Sequence, residues 1–366
     1  MNKNKTKIII CGGGTAGHIY PALAVLEELK KNIQNIEILY IGSGNQIEQK
    51  ILKNKNINFV AIPAGKIRRS LSPKSTIKNI IDLVKIPLGF LKALIIIRKF
   101  KPQLIFSKGG YAGFLPTIAG YFLKIPIVIH ESDIKMGLAN KIASFFATKV
   151  AVAFPEKYYP GIKKEKLIFT GNPTREEIFK VKRVEALQYF NFSPQINTLA
   201  ILGGSQGARK INYTILKILP QLLKNFQVIH LSGWLDYEDI KKKTEKLPQN
   251  LLEKYRLFPY LENIGFVYAA ADFFISRAGA NVIFEIVGNQ KPAIFIPLPG
   301  HQEENARFLA DNLGYVVIKN NQLSAEILFE KIQSLSKQKL EIKNIFPRNS
   351  SQKIAQIIIN ILEKGK

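Results

Sequence analysis

The sequence contains few of the residues and runs that several protein classes require. Cys11 is the only cysteine among 366 residues, which excludes an intrachain disulfide and favours a reducing compartment. The best candidate for a membrane span, residues 109–123, has 15 residues and includes glycines and a proline, whereas a spanning helix needs about 20 apolar residues. The apolar run before Cys11 is too brief for a signal peptide and predicts a first strand.

Acidic residues are also scarce, with 27 Asp and Glu against 53 Lys and Arg and a net charge of +26. Residues 1–172 carry 27 of the basic residues and 9 of the acidic ones. Two interpretations stay open: a lysine-rich composition from an AT-rich genome, or a polyanionic partner, either nucleic acid or an anionic membrane face. Nucleic acid is disfavoured because basic motifs interleaved with aromatic residues are missing. The uneven charge indicates that the first half meets the partner.

Metal-binding patterns are missing as well. The sequence has no Asp-x-Asp pair, no Cys–His cluster and no His-Glu-x-x-His motif. We therefore expect no metal and no other cofactor. An anionic leaving group would then be neutralised by helix N-termini, hydroxyl groups and arginine.

Short β-branched runs alternate with helical stretches along the whole chain. Many runs are continuously apolar, which is typical of parallel strands buried on both faces. The alternation predicts an α/β fold with doubly wound parallel sheets. The thirteen predicted strands are residues 7–11, 38–41, 59–62, 104–107, 127–130, 150–154, 167–170, 198–202, 227–231, 256–259, 273–276, 293–297 and 315–318.

A unit of strand, glycine turn and helix opens each half of the chain. Residues 8–14 lead into a helix predicted from about Pro21, and residues 199–205 lead into one predicted from about Arg209. The repeat predicts two Rossmann-like domains, with the boundary in the polar stretch 171–194.

We assign residues 1–172 to the first domain and 173–346 to the second. The remaining segment, 347–366, contains an amphipathic helix that we expect to pack back on the first domain.

Two glycine motifs fit known fingerprints. Gly12-x-Gly14-x-x-Gly17 fits the dinucleotide fingerprint, but the second strand ends in residues 40–44 without the carboxylate that would hold a ribose. NAD(P) is therefore disfavoured, although a glycine loop before a helix still suits an anion.

Residues 203–207 fit Gly-x-Ser-x-Gly, the nucleophile elbow of serine hydrolases, and Asp272 and His301 follow in the required order. A hydrolase that uses Ser205 is thus one hypothesis. The other is that Ser205 and the following amides surround a phosphate at a helix N-terminus.

Three of the four histidines follow predicted strands or lie in glycine-rich turns, where α/β proteins bind ligands. They are His18, His130 and His301, whereas His230 lies within a strand and is expected to be structural. This placement favours a functional role for the three.

At these residues the sequence resembles the MurG family of peptidoglycan N-acetylglucosaminyltransferases. The similarity runs in order from residue 8 to about residue 315. The segments that carry it are residues 13–18, 21–24, 109–111, 130–131, 140–141, 171–175, 203–208 and 276–280, with Glu285, Gln302, Asn305 and Ala306.

The resemblance implies a glycosyltransferase of the B type, with two domains facing across a cleft. The family inverts the anomeric centre while moving GlcNAc from UDP-GlcNAc to lipid I, an undecaprenyl-diphosphate carrier, to make lipid II. It implies that the first domain takes the lipid acceptor and the second the nucleotide, on the cytoplasmic face of the membrane. A sister transferase that uses another nucleotide sugar is the nearest alternative.

The resemblance also implies site residues. Ser205, Gln206 and Arg175 would hold the diphosphate, Glu285 the ribose and the Leu261 backbone the uracil. The further donor-side residues are Ala280 and Asn281 at a helix start, Gln302 and Asn305 near the GlcNAc, and Thr15, Ala16, Gly17 and Asp133. The acceptor-side residues are Thr15, His18, Tyr111, His130 and Asn140.

Inversion requires a base on the side opposite UDP, and His18 fits because a free imidazole is mostly neutral near pH 7. Glu131 is the second catalytic candidate, with Asp133 as a further competitor. For the membrane face the candidate is the stretch 66–101, where ten basic residues interleave with apolar ones and Asp82 is the only acidic residue.

Overall fold

The computed structural model describes residues 5–13, 16–65, 73–204, 207–337 and 345–364. The chain forms two compact units, Met1–Arg175 with Pro347–Lys366, and Glu176–Phe346. Each unit is built on one parallel sheet. The α/β class and the two parallel sheets predicted from the sequence are therefore confirmed.

The first unit holds a seven-stranded sheet in the order β3-β2-β1-β4-β5-β6-β7. Its central strand β1 pairs with β2 through Ile8 and Ile38, and with β4 through Ile8 and Leu104. The strands are β1 Thr6–Cys11, β2 Ile36–Gly42, β3 Asn58–Ala61, β4 Leu104–Ser107, β5 Ile127–Glu131, β6 Lys149–Val152 and β7 Leu167–Phe169. The helices are α1 Ala16–Asn32, α2 Gln46–Asn54, α3 Pro73–Phe100, α4 Gly110–Phe122, α5 Leu138–Phe146 and α14 Ser350–Lys364.

The second unit holds a six-stranded sheet in the order β10-β9-β8-β11-β12-β13. Its strands are β8 Thr198–Leu202, β9 Gln227–Leu231, β10 Tyr255–Phe258, β11 Phe273–Ser276, β12 Ala293–Phe295 and β13 Val316–Val317. Its helices are α6 Arg183–Phe190, α7 Arg209–Asn225, α8 Tyr237–Thr244, α9 Gln249–Leu252, α10 Ile264–Ala270, α11 Ala280–Gly288, α12 His301–Leu313 and α13 Ala325–Lys337.

All thirteen predicted strands are present, because strands buried on both faces need the uninterrupted apolar runs from which they were predicted. The predicted start of the first helix was wrong. Helix α1 begins at Ala16 and contains Pro21, so the proline lies inside the helix instead of opening it. The helix predicted from Arg209 does begin there.

The amphipathic C-terminal helix α14 belongs to the core of the first unit. Ile354 and Ile358 are fully buried, in one hydrophobic cluster with Ile8 of β1 and Leu26 of α1. Its apolar face thus covers α1 and the neighbouring part of the sheet. No helix in the described part of the chain is long and apolar enough to cross a membrane.

In each sheet the strand order reverses at one place. The reversal lies between β1 and β4 in the first unit and between β8 and β11 in the second. Parallel α/β sheets bind ligands beyond the carboxyl ends of the strands at such a switch point. Both glycine-rich segments singled out from the sequence follow the central strands at these places.

Candidate functional site

Two glycine segments meet beyond β1 and β4 in the first unit. Gly109 and Gly110 have φ angles of +83° and +75°, which side chains other than glycine rarely adopt. A Cβ atom on Gly110 would lie 2.9 Å from the carbonyl oxygen of Gly13 and 3.4 Å from Nε2 of His18. The absence of a side chain at Gly110 therefore lets the His18 ring reach the switch point. Gly14 and Thr15 lie outside the described residues.

His18, in the first turn of α1, has a ring whose environment disfavours a proton. Burial and the nearby Lys108 ammonium lower the pKa of His18 to about 4. The neutral imidazole predicted for a base thus has a physical cause, which is burial together with the charge of Lys108. Beside it, Gly17 is exposed and Tyr111, the second residue of α4, is half-buried.

Lys108, directly after β4, joins the ends of three strands. Its side chain is buried, and Nζ donates to Nδ1 of His130 at 2.7 Å, to Oγ of Ser132 and to Oδ1 of Asn172 at 3.4 Å. Burial lowers the pKa of Lys108 to about 7, although nearby carboxylates oppose the shift. Sequence reasoning overlooked this residue. The available signal was a lysine placed between a fully buried strand and two glycines.

His130, at the end of β5, is wholly buried. Its Nε2 lies 2.9 Å from the carbonyl oxygen of Gly171, and its Nδ1 lies 2.7 Å from Lys108 Nζ. Burial and the Lys108 charge hold the pKa of His130 well below its usual range. Both ring nitrogens are engaged within the protein. The acceptor contact expected of His130 from the sequence stays a prediction.

Glu131 is also buried, and it braces the loop that follows β5. Its Oε1 accepts from the Asp133 backbone at 2.9 Å, and its Oε2 accepts from the Gly137 backbone at 3.1 Å and from Asn140 Nδ2 at 3.0 Å. Asn140 also donates to the carbonyl oxygen of His130. Burial and the Asp133 carboxylate raise the pKa of Glu131. Glu131 and Asn140 thus stabilise the loop, whereas Asp133 is half-buried.

Arg175 lies at the end of the first unit as a half-buried side chain. Its guanidinium carbon lies 4.5 Å from the ring centroid of Tyr20 on α1, a cation–π geometry that fixes the arginine. The arginine is therefore held by α1, within the unit that contains His18.

The glycine segment of the second unit follows β8. A Cβ atom on Gly203 would lie 2.7 Å from the carbonyl oxygen of Leu231, and one on Gly207 would lie 2.7 Å from that of Ser232. Gly204 and Gly207 have φ angles of +71° and +82°. The segment therefore lies tightly against the end of β9. Ser205 and Gln206, which the sequence singled out, lie outside the described residues.

Helix α11 starts after β11 and presents Ala280 and Asn281 in its first turn and Glu285 in its second, all half-buried. The Tyr268 hydroxyl donates to Glu285 Oε2 at 2.5 Å, which orients the carboxylate. Leu261, in the loop after β10, is half-buried as well.

Gln302 and Asn305 lie on α12, which follows β12. Gln302 Oε1 accepts from the Leu298 backbone at 3.0 Å, and the buried Asn305 donates to the carbonyl oxygen of Ala278 at 3.3 Å. The donor-side residues described in this unit thus all follow the carboxyl ends of its strands.

The serine hydrolase hypothesis conflicts with the sheet. Asp272 precedes β11 and accepts from the Thr198 backbone at 2.7 Å and from Arg183 Nη2 at 3.0 Å. It lies at the amino edge, whereas Ser205 follows the carboxyl end of β8, and a five-residue strand spans about 16 Å. Asp272 therefore lies at the opposite edge of the sheet from Leu202, where β8 ends, and it is engaged there by Thr198 and Arg183, which disfavours the hydrolase hypothesis.

The structure also disfavours a dinucleotide site after β1. The carboxylate nearest the end of β2 is Glu48, which is wholly buried and accepts from Ser43 Oγ and the Gly44 backbone at 2.8 Å each. It braces this turn and is not presented to a ribose. Among the described residues, no group of three or more His, Cys, Asp or Glu side chains is placed to hold a metal ion.

Comparison with known proteins places the chain in a family. Residues 8–152 match the N-terminal domain of glycosyltransferase family 28, and residues 198–360 match its C-terminal domain. A Bacillus cereus protein named UDP-N-acetylglucosamine–N-acetylmuramyl-(pentapeptide) pyrophosphoryl-undecaprenol N-acetylglucosamine transferase 2 is 39% identical over 98% of this chain and 99% of its own length. A Clostridium perfringens transferase of the same description is 40% identical, with 99% of both chains covered.

Solved structures agree in fold. Acinetobacter baumannii MurG has a TM-score of 0.73 at 24% identity and covers 97% of this chain and 99% of its own. UDP-GlcNAc 2-epimerase from Neisseria meningitidis has a TM-score of 0.67 at 14% identity, with 97% and 100% covered. The fold is thus the two-domain glycosyltransferase B type. With relatives this similar over nearly its whole length, the chain belongs to the UDP-N-acetylglucosamine–N-acetylmuramyl-(pentapeptide) pyrophosphoryl-undecaprenol N-acetylglucosamine transferases of glycosyltransferase family 28.

Proposed function

We propose that this protein transfers GlcNAc from UDP-GlcNAc to the muramoyl sugar of lipid I, which yields lipid II and UDP. The observation that carries the proposal is the 38–40% identity over nearly the full length to transferases named for this donor and acceptor. The polar residues at the switch points of both sheets supply the parts that such a reaction needs.

The second unit is the donor side of the proposal. The glycine segment after β8, with Ser205 and Gln206, would surround the diphosphate of UDP-GlcNAc. Arg175, which the resemblance also assigns to the diphosphate, belongs to the first unit. The N-terminus of α11 adds a partial positive charge for this anion. Glu285 would accept from the ribose hydroxyls, the Leu261 backbone would meet the uracil, and Gln302 would contact the GlcNAc.

The first unit is the acceptor side of the proposal, and Thr15, His18 and Tyr111 would contact the acceptor. Ala16, Gly17 and Asp133 of this unit would contact the donor. In the transfer step the acceptor hydroxyl oxygen bonds to the anomeric carbon as the bond from that carbon to the diphosphate oxygen breaks. UDP leaves with the bonding electrons, and Nε2 or Nδ1 of the neutral His18 ring takes the hydroxyl proton. Attack opposite the leaving group inverts the anomeric centre.

The first unit also carries the surface that we propose for an anionic membrane face. Eight large apolar side chains are exposed on α3, α4 and α5, and we call them the apolar face. Phe90 on α3 contacts Phe122 on α4, with ring centroids 5.9 Å apart, and Tyr121 contacts Phe146 on α5 at 4.8 Å. The apolar face consists of Leu88, Leu91, Ile95, Tyr121, Phe122, Leu138, Ile142 and Phe145.

Exposed basic side chains accompany the apolar face. Each lysine or arginine near an anionic leaflet contributes about 1 kcal/mol of binding free energy. The sequence singled out the stretch 66–101, of which residues 66–72 lie outside the described residues, and it missed the contribution of α4 and α5. The exposed basic residues on or next to these helices include Lys85, Lys92, Arg98, Lys99, Lys124 and Lys141.

A transfer assay tests the function directly. The purified chain is incubated with radiolabelled UDP-GlcNAc and lipid I in detergent, and the lipid product is separated and identified by mass. We expect a product heavier by one N-acetylhexosamine, with one UDP released per transfer. UDP-GalNAc and UDP-glucose serve as matched donors. Preferred transfer from either would replace the proposal with a sister transferase, and no transfer from any donor would refute it.

A further inference from the structure

The sequence reading and the proposed reaction leave Lys108 without a role, yet its position is unusual. It is the only lysine among the buried residues of the described chain, with 2% of its side chain exposed. A buried lysine loses the hydration of its ammonium group, which costs several kcal/mol unless hydrogen bonds replace that hydration. The three polar partners around Nζ supply such bonds.

The hydrogen bonds around Lys108 Nζ indicate which of the neighbouring groups carry protons. The Gly171 carbonyl can only accept, so Nε2 of His130 must carry the ring proton that faces it at 2.9 Å. In a neutral ring Nδ1 is then an acceptor, and Lys108 must donate to it. Ser132 Oγ donates to Asn172 Oδ1 at 2.8 Å, which leaves both oxygens as acceptors for Lys108. Three acceptors require the three N–H groups of an ammonium ion.

The partners of Lys108 belong to different parts of the first unit. His130 ends β5 and Ser132 follows it, and Asn172 lies in the segment after β7. Lys108 itself follows β4 and is separated from the Gly110 beside His18 by one glycine. Its ammonium group therefore fastens three loops at the carboxyl edge of one sheet, next to the candidate base.

The titratable groups around Lys108 come from two elements. His18 approaches from α1, and His130, Glu131 and Asp133 approach from β5 and the residues after it. On the α4 side the nearest residues are glycines, and Asn172 is uncharged. Burial is the larger cause of the lowered pKa of both histidines, and the Lys108 charge acts on them in the same direction. The two carboxylates oppose, without cancelling, the effect of burial on the lysine.

We propose that Lys108 is a positioning residue for the transfer reaction: its ammonium group fixes the His130 ring, Ser132 and Asn172, and its charge opposes protonation of the His18 ring beside Gly110. The catalytic part of this inference rests on the proposed function. The effect on the two histidines does not, and it is measurable without substrate. Burial is the main cause of the lowered pKa values of His18 and His130, and the Lys108 charge is the second cause.

Nitrogen NMR of the full chain with ¹⁵N-labelled histidine tests the first part. The four histidines are assigned from single substitutions to glutamine. At pH 6.0, where an amine of pKa about 7 is mostly charged, His130 should be neutral with its proton on Nε2. His18 should titrate below about pH 5. A proton on Nδ1 of His130, or a His18 midpoint near 6.5, would overturn the inference in the wild-type protein itself.

Substitutions test the second part. Lys108→Met removes the charge at similar length, Lys108→Arg keeps the charge, and Lys53→Met removes an exposed lysine from α2 as the matched control. We expect Lys108→Met to raise the His18 midpoint by about one pH unit, as removal of a nearby like charge does. Lys108→Arg and Lys53→Met should leave it within about half a unit of wild type. An unchanged midpoint in folded Lys108→Met would overturn the inference.

Kinetics then separate this inference from the proposed function. Lys108→Met should lower kcat by about tenfold at pH 6, because the three partners of Nζ lose the ammonium group that positions them, whereas His18 stays mostly neutral at this pH. The loss should be smaller at pH 8, where the wild-type amine of pKa about 7 is itself mostly uncharged. The KM for UDP-GlcNAc should be unchanged. A wild-type protein without transferase activity would refute the function and leave the NMR result standing. An active wild-type protein with equal kcat values for Lys108→Met at both pH values would refute the role of Lys108 alone. If Lys108→Met does not fold, the wild-type NMR midpoint decides.

Discussion

The carboxyl edges of the two sheets hold their polar side chains in different ways. In the first unit Lys108, His130 and Glu131 are buried, and each polar atom of theirs described above contacts another part of the same unit. In the second unit Glu285 and Gln302 are half-buried around a glycine segment and two helix starts. A closed network shifts pKa values and suits proton transfer, whereas an open rim of donors and acceptors suits ligand binding.

The surfaces of the two units also differ, in the arrangement of exposed apolar residues and in net charge. The exposed apolar face lies on three neighbouring helices of the first unit, and residues 1–172 carry two-thirds of the net charge as 27 basic and 9 acidic residues. The second unit also has exposed apolar residues, including Val184 and Trp234, on separate elements. Single exposed apolar residues are ordinary, whereas a contiguous apolar patch with basic neighbours is typical of a membrane contact.

The largest effect is expected from His18→Ala. Loss of a general base lowers rates by about 10²–10⁴, so kcat should fall by at least about 100-fold. The dissociation constant of UDP-GlcNAc, measured by calorimetry, should stay within about twofold, because the residues assigned to the nucleoside, Leu261 and Glu285, lie in the other unit. Near-wild-type turnover would transfer the role of base to Asp133, the less buried of the two competing carboxylates.

Glu285→Ala tests whether the half-buried polar residues of the second unit bind the nucleotide. Removal of charged hydrogen bonds to the ribose costs about 1.5–3 kcal/mol, which corresponds to a roughly ten- to hundredfold weaker UDP affinity. Glu185→Ala, at an exposed carboxylate of α6 in the same unit, is the control and should bind UDP normally. Unchanged UDP affinity in folded Glu285→Ala would leave Glu285 as a structural partner of Tyr268.

A negative charge introduced on the apolar face tests whether this surface of the first unit, and not the surface of the second unit, binds membranes. Phe145→Glu removes an apolar side chain that is 66% exposed and adds a negative charge, so binding to anionic liposomes should weaken by about tenfold. Val184→Glu makes the same change at a residue of the second unit that is 67% exposed. Co-sedimentation should be affected by the first substitution alone. Equal losses would show that net charge, and not the apolar face, governs binding.

The smallest effect is expected in the pH dependence of the transfer rate near neutrality. A free imidazole would give an acidic limb near pH 6–7, whereas the pKa of His18 of about 4 predicts a rate that is flat from pH 7 to about 5. The neutral ring is the active form, so activity is lost only as pH falls through this lower value. Initial rates with a saturating donor check the profile, and a wild-type midpoint near 6.5 would contradict it.

Burial of histidines also makes the folded protein less stable at acidic pH. His130 and His230 have folded-state pKa values below the unfolded value, so the unfolded chain binds more protons below about pH 6.5. Their stability contribution is present above that pH and is lost as the pH falls toward the folded pKa values. Rates near pH 4 therefore need a parallel measurement of folding by circular dichroism.

Sequence reasoning reached the fold because its signals are local. Buried parallel strands such as β4 and β8 are short and mostly apolar, and each is followed within two residues by a pair of glycines. The same reasoning misplaced the start of α1, because Pro21 fits the first turn of a helix and is also tolerated inside one at the cost of one hydrogen bond.

The roles of polar residues were harder to predict. His130 and Glu131 follow a strand just as a ligand-binding pair would, yet their atoms are engaged by Gly171, Lys108 and Asn140. These partners are separated from them by 9 to 41 positions in the sequence. Nothing in a local motif distinguishes a carboxylate that braces a loop from one that accepts a proton.

The sequence by itself determined the two parallel sheets, the glycine segments at their switch points and the family, because apolar runs and ordered motifs are properties of the chain read in one direction. Only the tertiary structure decided which polar side chains are buried, that Lys108 joins three loops, and that α3, α4 and α5 form one apolar face. Burial, pKa and surface continuity depend on atoms that are distant in the chain and adjacent in space, so no local pattern encodes them.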